Sequence, residues 1–233
     1  MKPALHRALI AALVAAGAAS AVPALDFDPA TLIRAGRSLV RVEARVPGRG
    51  LGIGTGVVIA PFTVATACHV VRDARELAVV HGGRRWRIAA QHADAGRDLC
   101  IFLVPGLAAQ AATLRDTREL AIGEPVTALG YSGGGPQHTR GEVVRLHRYD
   151  GSVVVQCTAA FTSGASGGPL MDAQGRVVGF LSFRLPGPDG QFYALPVDWA
   201  FAGVHDADYF RPVQTAFGSA AFWAREPEAT PFF

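Results

Sequence analysis

Residues 162–168 read Thr-Ser-Gly-Ala-Ser-Gly-Gly, with Pro169 next. Gly164, Gly167 and Gly168 surround the hydroxyl of Ser166, so the backbone is free to take turns that a side chain forbids. Such a turn exposes the serine oxygen and aims neighbouring N–H groups into the same space. A serine hydroxyl is a weak nucleophile at neutral pH and works only beside a base, which needs an orienting group of its own. One histidine stands in a strongly patterned context. Val64-Ala65-Thr66-Ala67-Cys68-His69-Val70-Val71 puts His69 just after an apolar strand, where a tight turn brings the imidazole to a cleft. The matching carboxylate is Asp98, in Gly96-Arg97-Asp98-Leu99-Cys100-Ile101-Phe102-Leu103, immediately before a buried run. Asp94 and Asp73 are rivals, but neither abuts a strand of this character. Taken singly, each group has a plainer reading: a glycine-rich loop, a packed histidine, a strand-end aspartate.

The elements that must position these groups are mostly strands. Asp28-Pro29 reads as an N-cap followed by proline in the first turn of a short helix, ending near Gly36. Valine- and isoleucine-rich runs then fall at residues 38–46, 52–59 and 76–81. Gly82-Gly83 makes a hairpin into 84–90, where Trp86 and Ile88 alternate with arginines. Residues 99–104 form a continuous apolar run, as a buried strand does. Strands follow at 125–131, 141–148 and 152–157, the last two joined across Asp150-Gly151, a strong hairpin signal. Turns at 171–175 and 186–190 lead into strands at 176–183 and 191–195. Many short strands at close spacing argue an all-β barrel or sandwich rather than βαβ units. Residues 114–124, polar and without strand pattern, read as a link between two halves. The tail from about Asp198, rich in alanine and aromatics, reads as helical.

Met1, Lys2 and Arg7 precede an apolar run from Ala8 to Ala19, and Ala19-Ser20-Ala21 offers a cleavage site. That combination describes an export signal, and the run is short for a membrane span. A retained anchor is the alternative. The net charge is only +3, and arginines such as Arg84, Arg85 and Arg87 are dispersed, which disfavours nucleic acid as a partner. Three cysteines, Cys68, Cys100 and Cys157, allow at most one internal disulfide. Without a CxxC they make a zinc site a poor reading.

The ordered trio "TACHVV", "RDLCIFLV" and "GASGGPL" resembles the chymotrypsin-like serine peptidases, and more narrowly their HtrA/Deg-type branch. "GTGVVIA" before the histidine, "QCTAAFTSGASGG" around the serine, and "VVGFLSF" with "FYALPVDW" after it extend the likeness over roughly residues 38–199. The resemblance implies an all-β fold of two six-stranded antiparallel β-barrels with short N- and C-terminal helices. The site would lie in the cleft between them, with His69 and Asp98 from the first barrel and Ser166 from the second. It implies that Ser166 attacks a peptide carbonyl while His69 shuttles the proton and Asp98 orients the imidazole. The N–H groups of Gly164 and Ser166 would form the oxyanion hole. No metal or other cofactor is implied. The corresponding segments are a signal at 1–21 (cleavage as late as 24), a helix and first barrel at 25–115, a second barrel at 124–199 and an extension at 200–233.

Departures from the family pattern narrow the expectation. Ala165 stands where digestive members carry an aspartate, so activation by a salt bridge to a freed N-terminus is not available. After Trp199 too little chain remains for a PDZ domain. By motif alignment Ala160 and Phe161 line the base of the primary pocket, with Ser182, Phe183 and Arg184 along its wall. No acidic residue lies at that base, which favours a small or medium apolar side chain over Lys or Arg. If the catalytic groups meet, the neighbourhoods of Cys68 and Cys100 meet too, which makes them the preferred disulfide. Two buried free thiols are the alternative, and Cys157 reads as buried and single. His81, His92, His138, His147 and His205 share no spacing, and Gly133-Gly134-Gly135 reads as a turn.

The function implied is an exported serine endopeptidase, periplasmic or secreted, with a polypeptide as its substrate partner. Nucleic-acid binding and stable membrane insertion after signal removal are not expected, and the sequence does not set an oligomeric state. Two rival readings stay open: a catalytically silent peptide-binding module on the same fold, and an esterase-like hydrolase.

Overall fold

The computed structural model describes residues 28–132, 135–186, 191–201 and 209–225. The N-terminal run read as an export signal, Gly133-Gly134, most of the 186–190 turn and His205 lie outside the described residues.

Helix α1 (Pro29–Gly36) begins as its sequence dictates. The Asp28 carboxylate accepts the Ala30 N–H at 3.0 Å, and proline occupies the first turn. Seven strands follow: β1 (Leu39–Val46), β2 (Gly50–Ala60), β3 (Thr63–Ala67), β4 (Glu76–His81), β5 (Arg84–Trp86), β6 (Ala90–Asp94) and β7 (Leu99–Leu103). They form one antiparallel sheet in the order β5-β4-β1-β2-β3-β7-β6. The stretch read as a single strand over 84–90 is divided. β5 pairs with β4 at one edge and β6 with β7 at the other, and residues 87–89 carry the chain between them. Ile88 turns into the interior at that crossing, so the edges are joined by covalent chain rather than by a hydrogen-bonded ladder. This first unit is a curled half-barrel of seven strands instead of a closed barrel of six.

The second unit closes fully. β8 (Pro125–Ser132), β9 (Gly135–Tyr149), β10 (Ser152–Cys157), β11 (Pro169–Asp172), β12 (Val177–Leu185) and β13 (Gln191–Pro196) make a six-stranded barrel in the order β10-β13-β12-β11-β8-β9. Asp150 and Gly151 turn β9 into β10 with φ of 46° and 79°, the pair of positive values that a tight hairpin requires. The polar link between the units is fastened to both. Ala112 N–H donates to Val58 O at 2.8 Å, and Arg115 N–H donates to Val177 O at 2.9 Å. After β13 comes a single turn of helix, α3 (Asp198–Phe201), and residues 209–225 then return across the first unit. No helix among the described residues is long and apolar enough to cross a membrane.

Alternation along the strands fills three apolar clusters. One, with Val40, Val58 and Phe102, lies inside the half-barrel. Another, with Val155, Leu170 and Leu181, lies inside the closed barrel. The third joins Leu39, Val57 and Ile101 of the first unit to Leu129, Phe180 and Leu195 of the second, and Phe222 of the returning tail completes it. Burial at about 25 cal/mol per Å² is what holds the two units face to face. Cys157, in the closed barrel, is 1% exposed, and burial pushes its thiol up to about 11.

A neutral, enclosed thiol is unreactive. The native protein should therefore give no reaction with a thiol reagent at neutral pH. Denaturation alone should release one reactive thiol, and denaturation with reductant three, in a colorimetric thiol count. One reactive thiol in the native state would contradict the packing described for Cys157.

Candidate active site

The register of β3 against β7 sets the first part of the site. Ala67 lies opposite Leu99, so the residues just beyond, Cys68-His69 on one chain segment and Asp98 on the other, face each other. The chain after β3 winds into a four-residue helix, α2 (Cys68–Val71), that has no side-chain cap of its own. Asp98 supplies the cap from across the sheet. Its backbone carbonyl accepts the Cys68 N–H at 3.0 Å, and its carboxylate Oδ1 accepts the His69 N–H at 2.8 Å. To reach that position Asp98 takes φ of 61°, a left-handed conformation that aspartate tolerates better than most residues. The Cys68–Cys100 disulfide fixes the same two segments. Closing a loop over a sequence separation of 32 is worth about 3–4 kcal/mol by chain entropy.

The second carboxylate oxygen turns to the imidazole. His69 Nδ1 lies 2.8 Å from Asp98 Oδ2, and Asp98 is 1% exposed. An ionised carboxylate only accepts, so Nδ1 carries the hydrogen and the lone pair of the neutral ring falls on Nε2. Oδ2 also receives the Ser182 hydroxyl and, at 3.3 Å, the indole N–H of Trp223. Next to Asp98, Arg97 forms an ion pair with Asp150 at the β9–β10 hairpin tip, 2.6 Å from Nη2. That bond raises its already high pKa. The guanidinium also stacks over Trp199.

The Ser166 turn is pinned to the first unit by one threonine. Thr55 Oγ1 donates to Gly164 O at 2.6 Å and accepts the Tyr131 N–H at 2.8 Å. Thr55 N–H donates to Ser166 O at 2.9 Å. The glycines let this happen. A Cβ on Gly167, at φ of 83°, would lie 2.3 Å from Thr55 O, and one on Gly164, at φ of 100°, would lie 2.6 Å from Tyr131 O. Ala165 N–H is engaged by Thr162 O, whereas the N–H groups of Gly164 and Ser166 on either side meet no protein acceptor among the described residues.

Ser166 and His69 line one cleft of about 230 Å³ between the units. The serine hydroxyl donates a long 3.5 Å bond to Ser182 O, and no hydrogen bond joins it to the imidazole. Phe161, Ser182, Phe183 and Arg184 also line this cleft, and no acidic residue does among those described. Ala160, expected at the base of the pocket, does not line this cleft. It is exposed and borders a separate apolar cavity of about 190 Å³ that includes Ala128 and Leu181. Phe161 and Thr162 border both cavities. Thr55, Tyr131 and Trp223 were not legible as site residues, since a strand threonine or a tail tryptophan carries no motif.

Comparison with known proteins places the chain in a family and a fold. Residues 54–180, which include His69, Asp98 and Ser166, match the trypsin-like peptidase domain. The chain belongs to the trypsin-like peptidase family. It is 31% identical over 175 residues to the serine protease Rv3671c of Mycobacterium tuberculosis, covering 69% of this chain and 43% of that protein. It is also 31% identical over 159 residues to a probable periplasmic serine endoprotease, DegP-like, of Halomonas elongata, covering 64% of this chain and 33% of that one. The chain thus spans less than half the length of these curated relatives. In fold it resembles the crystal structure of the active form of the Rv3671c protease, with a TM-score of 0.74 at 24% identity over 93% of this chain and 97% of that one. The HtrA-type protease AlgW with a tripeptide gives 0.66 at 23% identity, over 75% and 61%. The chymotrypsin-like reading of "TACHVV", "RDLCIFLV" and "GASGGPL" is borne out at the level of family and fold.

Thr55 offers a direct check on how the Ser166 turn is held. Thr55→Val keeps the shape but leaves the part-buried Tyr131 N–H and Gly164 carbonyl without that partner, costing about 1–3 kcal/mol. Urea unfolding should show that loss, and Thr55→Ser should recover most of it. Equal stability for the valine variant would show that the two bonds do not hold the turn.

Proposed function

We propose that this chain is an exported serine endopeptidase in which Ser166 is the nucleophile, His69 the general base and acid, and Asp98 the orienting carboxylate. The observation that carries the reading is that His69, held through Nδ1 by a buried carboxylate, opens onto the same cleft as Ser166. Rotation about the Ser166 Cα–Cβ bond between staggered positions releases the long contact to Ser182 O and lets the hydroxyl turn within the cleft it shares with His69. Catalytic hydrogen bonds are commonly long or poorly aligned before substrate binds. His69 then takes the hydroxyl proton as the oxygen attacks the scissile carbonyl. The resulting imidazolium is stabilised by Asp98 and returns the proton to the leaving amine. Water attacks the acyl-enzyme by the same route in reverse. The unengaged N–H groups of Gly164 and Ser166 are the donors for the developing oxyanion, each worth about 3 kcal/mol in the transition state.

The apolar walls supplied by Phe161 and Phe183, without an acidic residue, suit a small or medium apolar side chain at the scissile residue. The apolar N-terminal run and the disulfide both fit a protein folded in an oxidising compartment, periplasmic or outside the cell. Unfolded or secreted polypeptides are the proposed substrates.

A fluorophosphonate probe tests the chemistry, since it labels only an activated serine. Ser166 should be labelled and casein digested, and Ser166→Ala should abolish both. Asp98→Asn, which retains the shape but removes the charge, should lower turnover by about 10⁴-fold. An unlabelled, folded protein would point instead to a peptide-binding module, and labelling without proteolysis to an esterase-like hydrolase.

A further inference from the structure

The returning tail ends at the site. From Arg211 onward it is stitched to the first unit. Arg211 and Gln91 exchange backbone bonds at 2.8 Å, Thr215 Oγ1 donates to Ala74 O at 2.7 Å, and the Arg72 guanidinium donates to the carbonyls of Phe217 and Ser219. Phe222 then anchors the segment. Its N–H donates to Gly96 O at 2.9 Å, and its ring, 1% exposed, stacks on Tyr149 of the closed barrel with centroids 4.6 Å apart. The next residue is thereby delivered to the cleft. The indole of Trp223 meets the His69 ring edge to face at 5.6 Å and lies parallel to Phe183 at 5.2 Å. Its N–H points to Asp98 Oδ2 at 3.3 Å.

From this geometry we infer that Trp223 is a positioning residue for the His69–Asp98 pair and that its ring is a wall of the substrate cleft. The two roles use different atoms. A buried carboxylate needs several donors to stay charged in an apolar surrounding, and Trp223 N–H is one of the three side-chain donors on Oδ2. It limits the ways in which Asp98 can turn, and so fixes the plane of the imidazole. The indole face, continuous with Phe183, offers an apolar contact to a substrate side chain that passes His69. Docking of residues 209–225 is therefore part of assembling the site.

This inference rests on the proposed serine-hydrolase chemistry, and two variants separate it from that chemistry. Trp223→Phe keeps a ring and loses the donor, whereas Trp223→Ala loses both. The readouts are the maximal rate of fluorophosphonate labelling at Ser166, the probe concentration giving half that rate, and the melting temperature. Trp223→Phe should lower the maximal rate about tenfold. Its half-saturating concentration should not change, and it should melt within about 2 °C of the parent. Trp223→Ala should also raise the half-saturating concentration for a probe with an apolar leaving arm or side chain. An unchanged maximal rate in Trp223→Phe beside an active parent would overturn the inference alone. So would a loss matched by a lowered melting temperature, which would make Trp223 only an anchor. An unreactive parent would overturn the proposed function, and this inference with it.

Discussion

The site depends on one buried negative charge. Asp98 is 1% exposed, and a carboxylate removed from water is tolerated only when donors replace the lost solvation. Its four donors are the His69 N–H, the His69 ring, the Ser182 hydroxyl and the Trp223 indole. These come from the turn after β3, from a strand of the closed barrel and from the returning tail. No single unit can satisfy the carboxylate. Folding of the half-barrel, closure of the second barrel and docking of the tail are thus linked through one group, and any of them left undone leaves a costly charge exposed to an apolar interior.

The same economy of contacts explains why the cleft lies between the units. Each unit has an interior cluster of its own, so neither needs the other for its core. What joins them is the third cluster, with Phe222 in it, together with a few polar bonds at the rim. Thr55 contributes three of those, through its hydroxyl as donor and acceptor and through its backbone N–H. Apolar contact supplies adhesion, which is non-directional, and the threonine supplies registration. Ser166 on one unit and His69 on the other reach one cleft through both.

Much of this was legible in the sequence because it is local. Asp28-Pro29 starts a helix, and Asp150-Gly151 turns a hairpin, through interactions spanning a few residues. The order of His69, Asp98 and Ser166 was legible because their surrounding runs form a recognisable set. The division of 84–90 was not, since Ile88 breaks the strand by entering a core built from distant strands. Thr55 reads as an ordinary strand residue until the Ser166 turn, more than a hundred positions away, is laid beside it. Which cavity Ala160 borders was not legible, because a spacing count cannot show which way a turn faces. Trp223 lies far from every motif, and only the anchoring of Phe222 gives it a destination.

Ser182 shows how the barrel can serve two chemical groups from one residue. The β12–β13 ladder shifts register between Leu181 and Phe183, leaving Ser182 as the extra residue of a β-bulge. Regular pairing would direct its carbonyl along the ladder. Freed from it, Ser182 gives its hydroxyl hydrogen to Asp98 and presents its carbonyl to the Ser166 hydroxyl. At 3.5 Å that second bond is at the limit of geometry and contributes little, so it holds the serine side chain only lightly. The bulge therefore lets one residue reach both groups. The carboxylate has the Ser182 hydroxyl among its four donors, and the Ser166 hydroxyl is left on a weak contact from which a single rotation frees it.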